Sequence, residues 1–298
     1  MTDSPPIVYR FVQTGVLSQL VHSRHFDRLL IAVCVAIPVY AAGLCCAALA
    51  WWCLQTAFLP VRAALRPLFA VYATTQFAKY LPGNVGHYVG RHLLLRRLGM
   101  SHRALLLATL GEAGFLLLAS MVWAAGAINV LVPWLGVSFS AWQALLAECI
   151  LLVGGYLALQ WLRKRYAAVQ DWVPLYSPAW LLLVLPLQLL LFAAMAFALM
   201  APARELLTTT GNIWLLPAAA AASWMAGFLV IGAPAGIGVR EMVFLALLKG
   251  YMAESDILLL AAAFRIITFG GDVVTFLIGL LLGGGAKRQA LLADPGEG

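Results

Sequence analysis

The sequence predicts an all-α polytopic membrane protein, with about seven transmembrane helices plus two re-entrant, broken helical segments arranged as an internal repeat. Three observations predict it. Apolar stretches long enough to span a bilayer follow one another from one end of the chain to the other. The composition is 63% hydrophobic and only 10% charged, whereas soluble chains are roughly 45–50% apolar and about 25% charged. Two stretches rich in glycine and proline interrupt the apolar pattern, and they resemble each other.

The candidate spans, each near the roughly 20 apolar residues that a helical crossing needs, are 29–54, 63–80, 104–132, 141–162, 178–201, 212–231 and 256–283. No long polar linker separates them, so residues 1–298 read as a single membrane domain. The first apolar run follows a polar segment carrying Arg10, Arg24 and Arg28 and is too long for the apolar core of a signal peptide, so it is expected to stay as an anchor. The formal charge of +7 is spread beside apolar spans rather than gathered in one basic stretch; it speaks for orientation in a membrane and against nucleic acid. Five cysteines (Cys34, Cys45, Cys46, Cys53, Cys149) lie in or beside apolar runs without a C-x-x-C pair and read as small packing residues.

Segments 81–99 and 232–250 resist the scheme of spans. Arg91, Arg96 and Arg97 would together cost roughly 8–10 kcal/mol at mid-bilayer. The second segment opens with Gly232, Pro234, Gly236 and Gly238 and then carries Arg240 and Glu241. Broken backbone at membrane depth needs protein or a water-filled cavity around it, so both segments are expected to enter and leave on one side. With a cytoplasmic N-terminus and no net crossing at either segment, about twelve cations fall inside and five outside, in line with the positive-inside rule.

The two segments align as PGNVG (Pro82 to Gly86) and PAGIG (Pro234 to Gly238), a spacing of about 152 residues. Each precedes an arginine-bearing helix, then a glycine (Gly99, Gly250), then a long apolar span with an ionisable group: Glu112 in the first copy, Arg265 in the second. The repeat units are then about 29–132 and 178–283, with 141–162 as connector. By this count of spans the copies share one orientation; a count different by one inverts them. Such repeats with broken helices at matching places point to a transporter's binding site.

Each Pro/Gly turn feeds a helix start, whose free N–H groups and positive dipole end favour an anion. The candidate binding residues are Lys79, Pro82, Gly83, Asn84, Gly86, His87 and Arg91 in the first copy, and Pro234, Gly236, Gly238, Arg240 and Glu241 in the second. The blander reading is close helix packing at Gly86 and Gly90 and arginines that snorkel to headgroups. Glu112, Arg265 and Asp272 lie within apolar spans, where ionisable side chains are rare and face a bundle interior; they are assigned charge balance or gating, and an ion pair between Glu112 and Arg265 is one option. Glu148 reads as a packed residue, and tryptophans such as Trp51, Trp52, Trp161 and Trp172 read as interfacial anchors. No catalytic motif, P-loop or metal-ligand spacing occurs, so neither an enzyme nor a metal or cofactor is expected.

The stretches KYLPGNVGHYVGR (Lys79 to Arg91) with the later LGMS, and GAPAGIGVRE (Gly232 to Glu241), resemble the lysylphosphatidylglycerol synthase transmembrane region, also called the flippase-like or UPF0104 membrane family. The resemblance covers essentially the whole chain and implies lipid handling in a bacterial cytoplasmic membrane. Larger members of that family join this domain to an aminoacyl-transferase, for which about fifteen residues after the last span leave no room; a stand-alone member is expected. A common form of the family's third-span motif places an arginine beside the acidic residue, whereas here Ala113 follows Glu112. The resemblance thus implies a lipid translocase that moves an anionic lipid, such as a polyprenyl-phosphate-linked sugar or a phospholipid, between leaflets. Two alternatives stay open: a secondary transporter of a small anionic solute, and a non-transporting subunit of a lipid-modifying complex. A second copy of the chain or a lipid-biosynthetic enzyme would be the protein partner.

Overall fold

The computed structural model describes residues 26–60, 64–81, 85–97, 99–125, 141–173, 175–206, 215–230 and 236–292. In order these form α1 (Phe26–Phe58), α2 (Leu65–Gln76) continued by a 3-10 turn (Phe77–Tyr80), α3 (Gly86–Arg97), α4 (His102–Ala124), α5 (Ala141–Arg165), α6 (Ala167–Trp172), a 3-10 turn (Pro178–Leu183) running into α7 (Val184–Leu206), α8 (Leu215–Leu229), α9 (Val239–Leu248) and α10 (Glu254–Leu292). No strand occurs among the described residues. Four of these stretches are long and apolar enough to cross a membrane: Phe26–Phe58, His102–Ala124, Pro178–Leu206 and Glu254–Gly283.

Two of the expected spans are shorter than the apolar count suggested. The stretch 63–80 is a helix of 12 residues and a 3-10 turn, and 212–231 contains a helix of 15 residues. At 1.5 Å per residue these α-helices reach only about 18 and 22 Å, short of the roughly 30 Å hydrocarbon core. Each instead pairs with the next short helix as a hairpin. In the first, α3 folds back on α2: a Cβ on Gly90 would touch the Thr75 side chain at 3.3 Å, and one on Gly86 would strike the Ala78 carbonyl oxygen at 2.5 Å. In the second, α9 folds back on α8, so that Gly236 lies against the backbone of Gly227. The segments singled out as broken are thus the returning limbs of two hairpins.

Contacts between elements also order the ends of the helices. The amides of Tyr176 and Ser177 donate to the Ala57 carbonyl, Arg103 donates to the Asp171 carbonyl, His92 meets His102, and Arg66 donates to the Leu282 carbonyl. The C-terminal ends of α1, α3 and α10 and the N-terminal ends of α2, α4 and α7 therefore share one end of the bundle. The α2–α3 hairpin starts and finishes at that end. The α8–α9 hairpin finishes at the opposite end, where α9 hands over to the start of α10 within six residues.

The core is built from close backbone approach. Alanines 218–222 on α8 are all buried, and the antiparallel α1–α7 pair lets Gly43 sit against Leu191 and Ala194. Large apolar side chains such as Ile31, Leu110, Ile150, Leu151, Phe197 and Leu281 point outward and are more than half exposed. Small residues inside and large apolar ones outside is the pattern of helices packed in lipid. Of the tryptophans, Trp161 and Trp172 are exposed as anchors would be, whereas Trp51 and Trp52 are buried in the core.

Gly279 is one of these approach points, since a Cβ there would lie 2.7 Å from the Ala73 Cβ and 3.1 Å from the Thr74 amide nitrogen. Gly279→Val is expected to destabilise the α2–α10 packing by about 1–3 kcal/mol, read as a lower midpoint of thermal unfolding in detergent. Gly154→Val on α5, where nothing lies within 4 Å, should leave that midpoint in place.

Candidate functional site

Two buried ion pairs hold the first hairpin in its place. Arg91 on α3 is 2% exposed and Glu112 on α4 is 1% exposed. Arg91 Nη1 donates to both carboxylate oxygens of Glu112 at 2.8 and 2.7 Å, Nη2 to Gln76 Oε1 at 2.6 Å, and Nε to the Thr75 hydroxyl at 3.3 Å. The guanidinium lies 3.7 Å from the centre of the Tyr72 ring, with Trp51 and Tyr88 a little farther off. A charge moved out of water needs partners for its N–H groups, and α2, α3 and α4 together supply them. At the tip of the same hairpin, Lys79 Nζ bonds both oxygens of the fully buried Asp272 at 2.8 and 2.7 Å, and the Tyr80 hydroxyl donates to it at 2.6 Å. That pair ties the tip to the middle of α10.

In the second hairpin the charges are exchanged. The acid, Glu241, stands on the returning limb, and the cation, Arg265, on the long helix that follows. Arg265 Nε donates to Glu241 Oε1, and its Nη2 donates to the Gly236 carbonyl at 3.1 Å. The other carboxylate oxygen of Glu241 accepts from the Gly238 amide at 2.8 Å, capping α9. Gly236 and Gly238 have φ of 70° and 86°, a left-handed backbone that suits glycine. This pair is wetter than the first, with side chains 26% and 19% exposed against 3% and 2%.

These pairings decide a point the sequence left open. Glu112 and Arg265 do not pair with each other; each is matched by the short helix that precedes it, across 21 and 24 residues of chain. The reason is local, because each broken helix packs on the span that follows it.

Arg240 is different. Its Nε is buried without a hydrogen-bond partner, and among the described residues no carboxylate lies within ion-pair distance of its guanidinium. Its stem runs across two glycines: a Cβ on Gly227 would come within 2.6 Å of Arg240 Cγ, and one on Gly236 within 2.7 Å of Nε. The guanidinium is 5.9 Å from the Trp224 ring centre. Arg240 borders a cavity of about 50 Å3 together with Tyr40, Tyr72, Gln76, Lys79, His87 and Glu112. A smaller space of about 10 Å3 on its other side is lined by Ser223, Glu241, Arg265 and Thr268. His87 is 8% exposed, and its Nδ1 also lacks a partner.

The structure thus brings Lys79, His87, Glu112 and Arg240 to one cavity and places Gly236, Gly238, Glu241 and Arg265 directly behind Arg240. Gly86 serves the turn of the first hairpin, and Arg91 stands behind the cavity wall with its charge already matched. Pro82, Gly83, Asn84 and Pro234 lie outside the described residues, as does the side chain of Glu148. The cavity also uses Tyr40, Tyr72, Gln76 and Tyr88, none of which the sequence reading named. A signal existed for them: tyrosines and a glutamine inside apolar runs need partners for their polar atoms.

No protein-family model matches the chain, and no curated protein matches it.

Two outcomes follow from this geometry. Glu112→Ala leaves the Arg91 charge buried and unmatched and should destabilise the protein by about 3–5 kcal/mol, whereas Arg91→Met combined with Glu112→Leu should recover most of that loss in chemical unfolding. Gly227→Ala would drive its methyl into the buried stem of Arg240 at Cγ and Nε and should lower the unfolding midpoint by about 1–3 kcal/mol equivalent, more than Gly154→Ala, where nothing lies within 4 Å.

Proposed function

We propose that this chain is a membrane lipid translocase that moves an anionic lipid, a phospholipid or a polyprenyl-phosphate-linked sugar, between the leaflets of a bacterial cytoplasmic membrane. The observation that carries the reading is Arg240: a cation with no carboxylate partner among the described residues, bordering a polar cavity inside an apolar bundle. Ionisable groups at such depth are expensive and belong to pathways or relays, and an anionic headgroup would complete this one. Lys79 and His87 would add donors. The tail would remain in lipid beside the bundle while the phosphate crossed through the cavity. The resemblance to the flippase-like membrane family, carried by Lys79 to Arg91 and Gly232 to Glu241, favours the same reading.

The fold reading that goes with it is an internal repeat with re-entrant hairpins. The elements α1, α2, α3 and α4 start at 26, 65, 86 and 102; the stretch from Pro178 through α7, then α8, α9 and α10, starts at 178, 215, 239 and 254. These differ by 152, 150, 153 and 152 residues. Because the two hairpins belong to opposite ends of the bundle, the copies are inverted rather than parallel. The four long apolar helices with α5 then make five crossings. Basic residues sort accordingly: Arg66, Arg96, Arg97, Arg103, Arg163, Lys164 and Arg165 at the end shared by the α2–α3 hairpin, and Arg28, Arg204 and Lys249 at the other. The positive-inside rule puts the richer end in the cytoplasm and the N-terminus outside, the reverse of the orientation that seven crossings suggested.

A second reading, transport of a small anionic solute, is favoured by the size of the cavity, since about 50 Å3 holds a few waters or one phosphate-sized group. Both readings use Arg240, and one experiment separates them. Purified protein in vesicles should speed the loss of inner-leaflet protection of a fluorescent anionic phospholipid, and Arg240→Gln should slow that rate by at least about tenfold, the scale of one lost charge-assisted contact. Unchanged lipid movement together with Arg240-dependent release of trapped phosphate would assign the chain to solute transport instead.

A further inference from the structure

Resting on the anion-binding reading of the Arg240 cavity, we infer that the site is built for a group carrying one negative charge, a phosphodiester-like monoanion, and discriminates against a phosphomonoester dianion. The inference comes from counting the buried charges. Among the described residues, three cations in and behind the cavity wall are each matched by a carboxylate: Lys79 by Asp272, Arg91 by Glu112 and Arg265 by Glu241. Arg240 is left over, its Nε buried without a partner. With every pair ionised the cluster carries a net charge of +1.

In a poorly solvated interior, the favoured ligand is the one that brings the sum to zero. A monoanion does so on Arg240 alone. A second negative charge would have to draw Lys79 from Asp272 or Arg265 from Glu241. Either move leaves a buried carboxylate without its cation, the costly outcome for a broken buried pair. His87 adds a buried ring nitrogen, Nδ1, without a protein partner, available to hydrogen-bond the ligand. The cavity of about 50 Å3 limits the recognised part to the oxyanion itself, so charge rather than headgroup shape decides selection there. A phosphomonoester carries about −1.5 to −2 charges near neutral pH, with its second ionisation near pH 6, whereas a phosphodiester carries one charge throughout this range.

The test measures binding to the full chain in detergent at about pH 8 and about pH 5, on either side of that ionisation. The probes are dioctanoyl phosphatidylglycerol, dioctanoyl phosphatidic acid, dimethyl phosphate and inorganic phosphate. Phosphatidylglycerol should bind at least about tenfold tighter than phosphatidic acid at the higher pH, and the gap should close to within about threefold at the lower. Arg240→Gln should weaken phosphatidylglycerol by at least about tenfold, and Arg240→Lys, which keeps the charge count, should retain the preference for a monoanion. Asp272→Asn raises the net charge to +2 and should turn the preference towards phosphatidic acid at the higher pH. Competition by dimethyl phosphate as strong as that of the lipid upholds the charge count and assigns the site to a small solute; competition by lipid alone upholds the count and the lipid source together. Equal affinity for the two lipids at the higher pH in the unsubstituted chain, or unchanged phosphatidylglycerol affinity in Arg240→Gln, would overturn the inference. Failure of lipid movement in vesicles with the binding preference intact would sink only the translocase reading.

Discussion

The arrangement of this molecule turns on the cost of holding a charge where water is scarce. Arg91, Lys79 and Arg265 are each placed on or beside a broken helix, and each is met by a carboxylate from a different element. A hairpin whose tip carries charge can stay inside an apolar bundle only when its neighbours supply the counter-charge and the backbone bonds. The long helices α4 and α10 do that through single acidic or basic residues set in otherwise apolar faces. The pairs are therefore weak evidence of stability in themselves; their value is in fixing which hairpin packs on which helix.

The two hairpins are anchored with opposite assignments of charge. For α2–α3 the cation is on the hairpin and the acid on the long helix; for α8–α9 the acid is on the hairpin and the cation on the long helix. The exchange frees the carboxylate of Glu241 to cap α9 while it holds Arg265, so that one side chain both starts the helix and anchors it. It also leaves Arg240, the neighbour of Glu241, without a carboxylate partner among the described residues.

Much of this was legible in the residues. The membrane character follows from composition, and the two broken segments from glycine, proline and arginine where apolar residues were due. Lys79, His87 and Arg240 were named for the cation set that the cavity gathers, and Asp272 and Glu112 for their depth. Less legible was the partnering. A pair between Glu112 and Arg265 is one option the sequence leaves open, and correspondence in sequence does not decide contact; here each faces its own hairpin. The length of the spans was the other gap. An apolar count over 63–80 cannot see that the helix tightens into a 3-10 turn at Phe77 and that Gly86 then brings α3 within touching distance of Ala78. Hydropathy measures where a segment is content to be, and the path it takes there is set by close approaches between backbones. Trp51 shows the same limit: near a span end by counting, it lies instead beside the Arg91 guanidinium in the core.

The bond between Lys79 and Asp272 links the tip of the α2–α3 hairpin to the middle of α10. Any movement of that tip along α10 has to stretch or exchange this contact first. The lysine stem has four methylene groups and three donor hydrogens, so it can follow a shifting carboxylate over several ångströms without letting go. An arginine there, with its planar fork, would hold one geometry firmly and resist the next. A compact ammonium makes the junction a compliant tether between the hairpin tip and α10 rather than a rigid clamp.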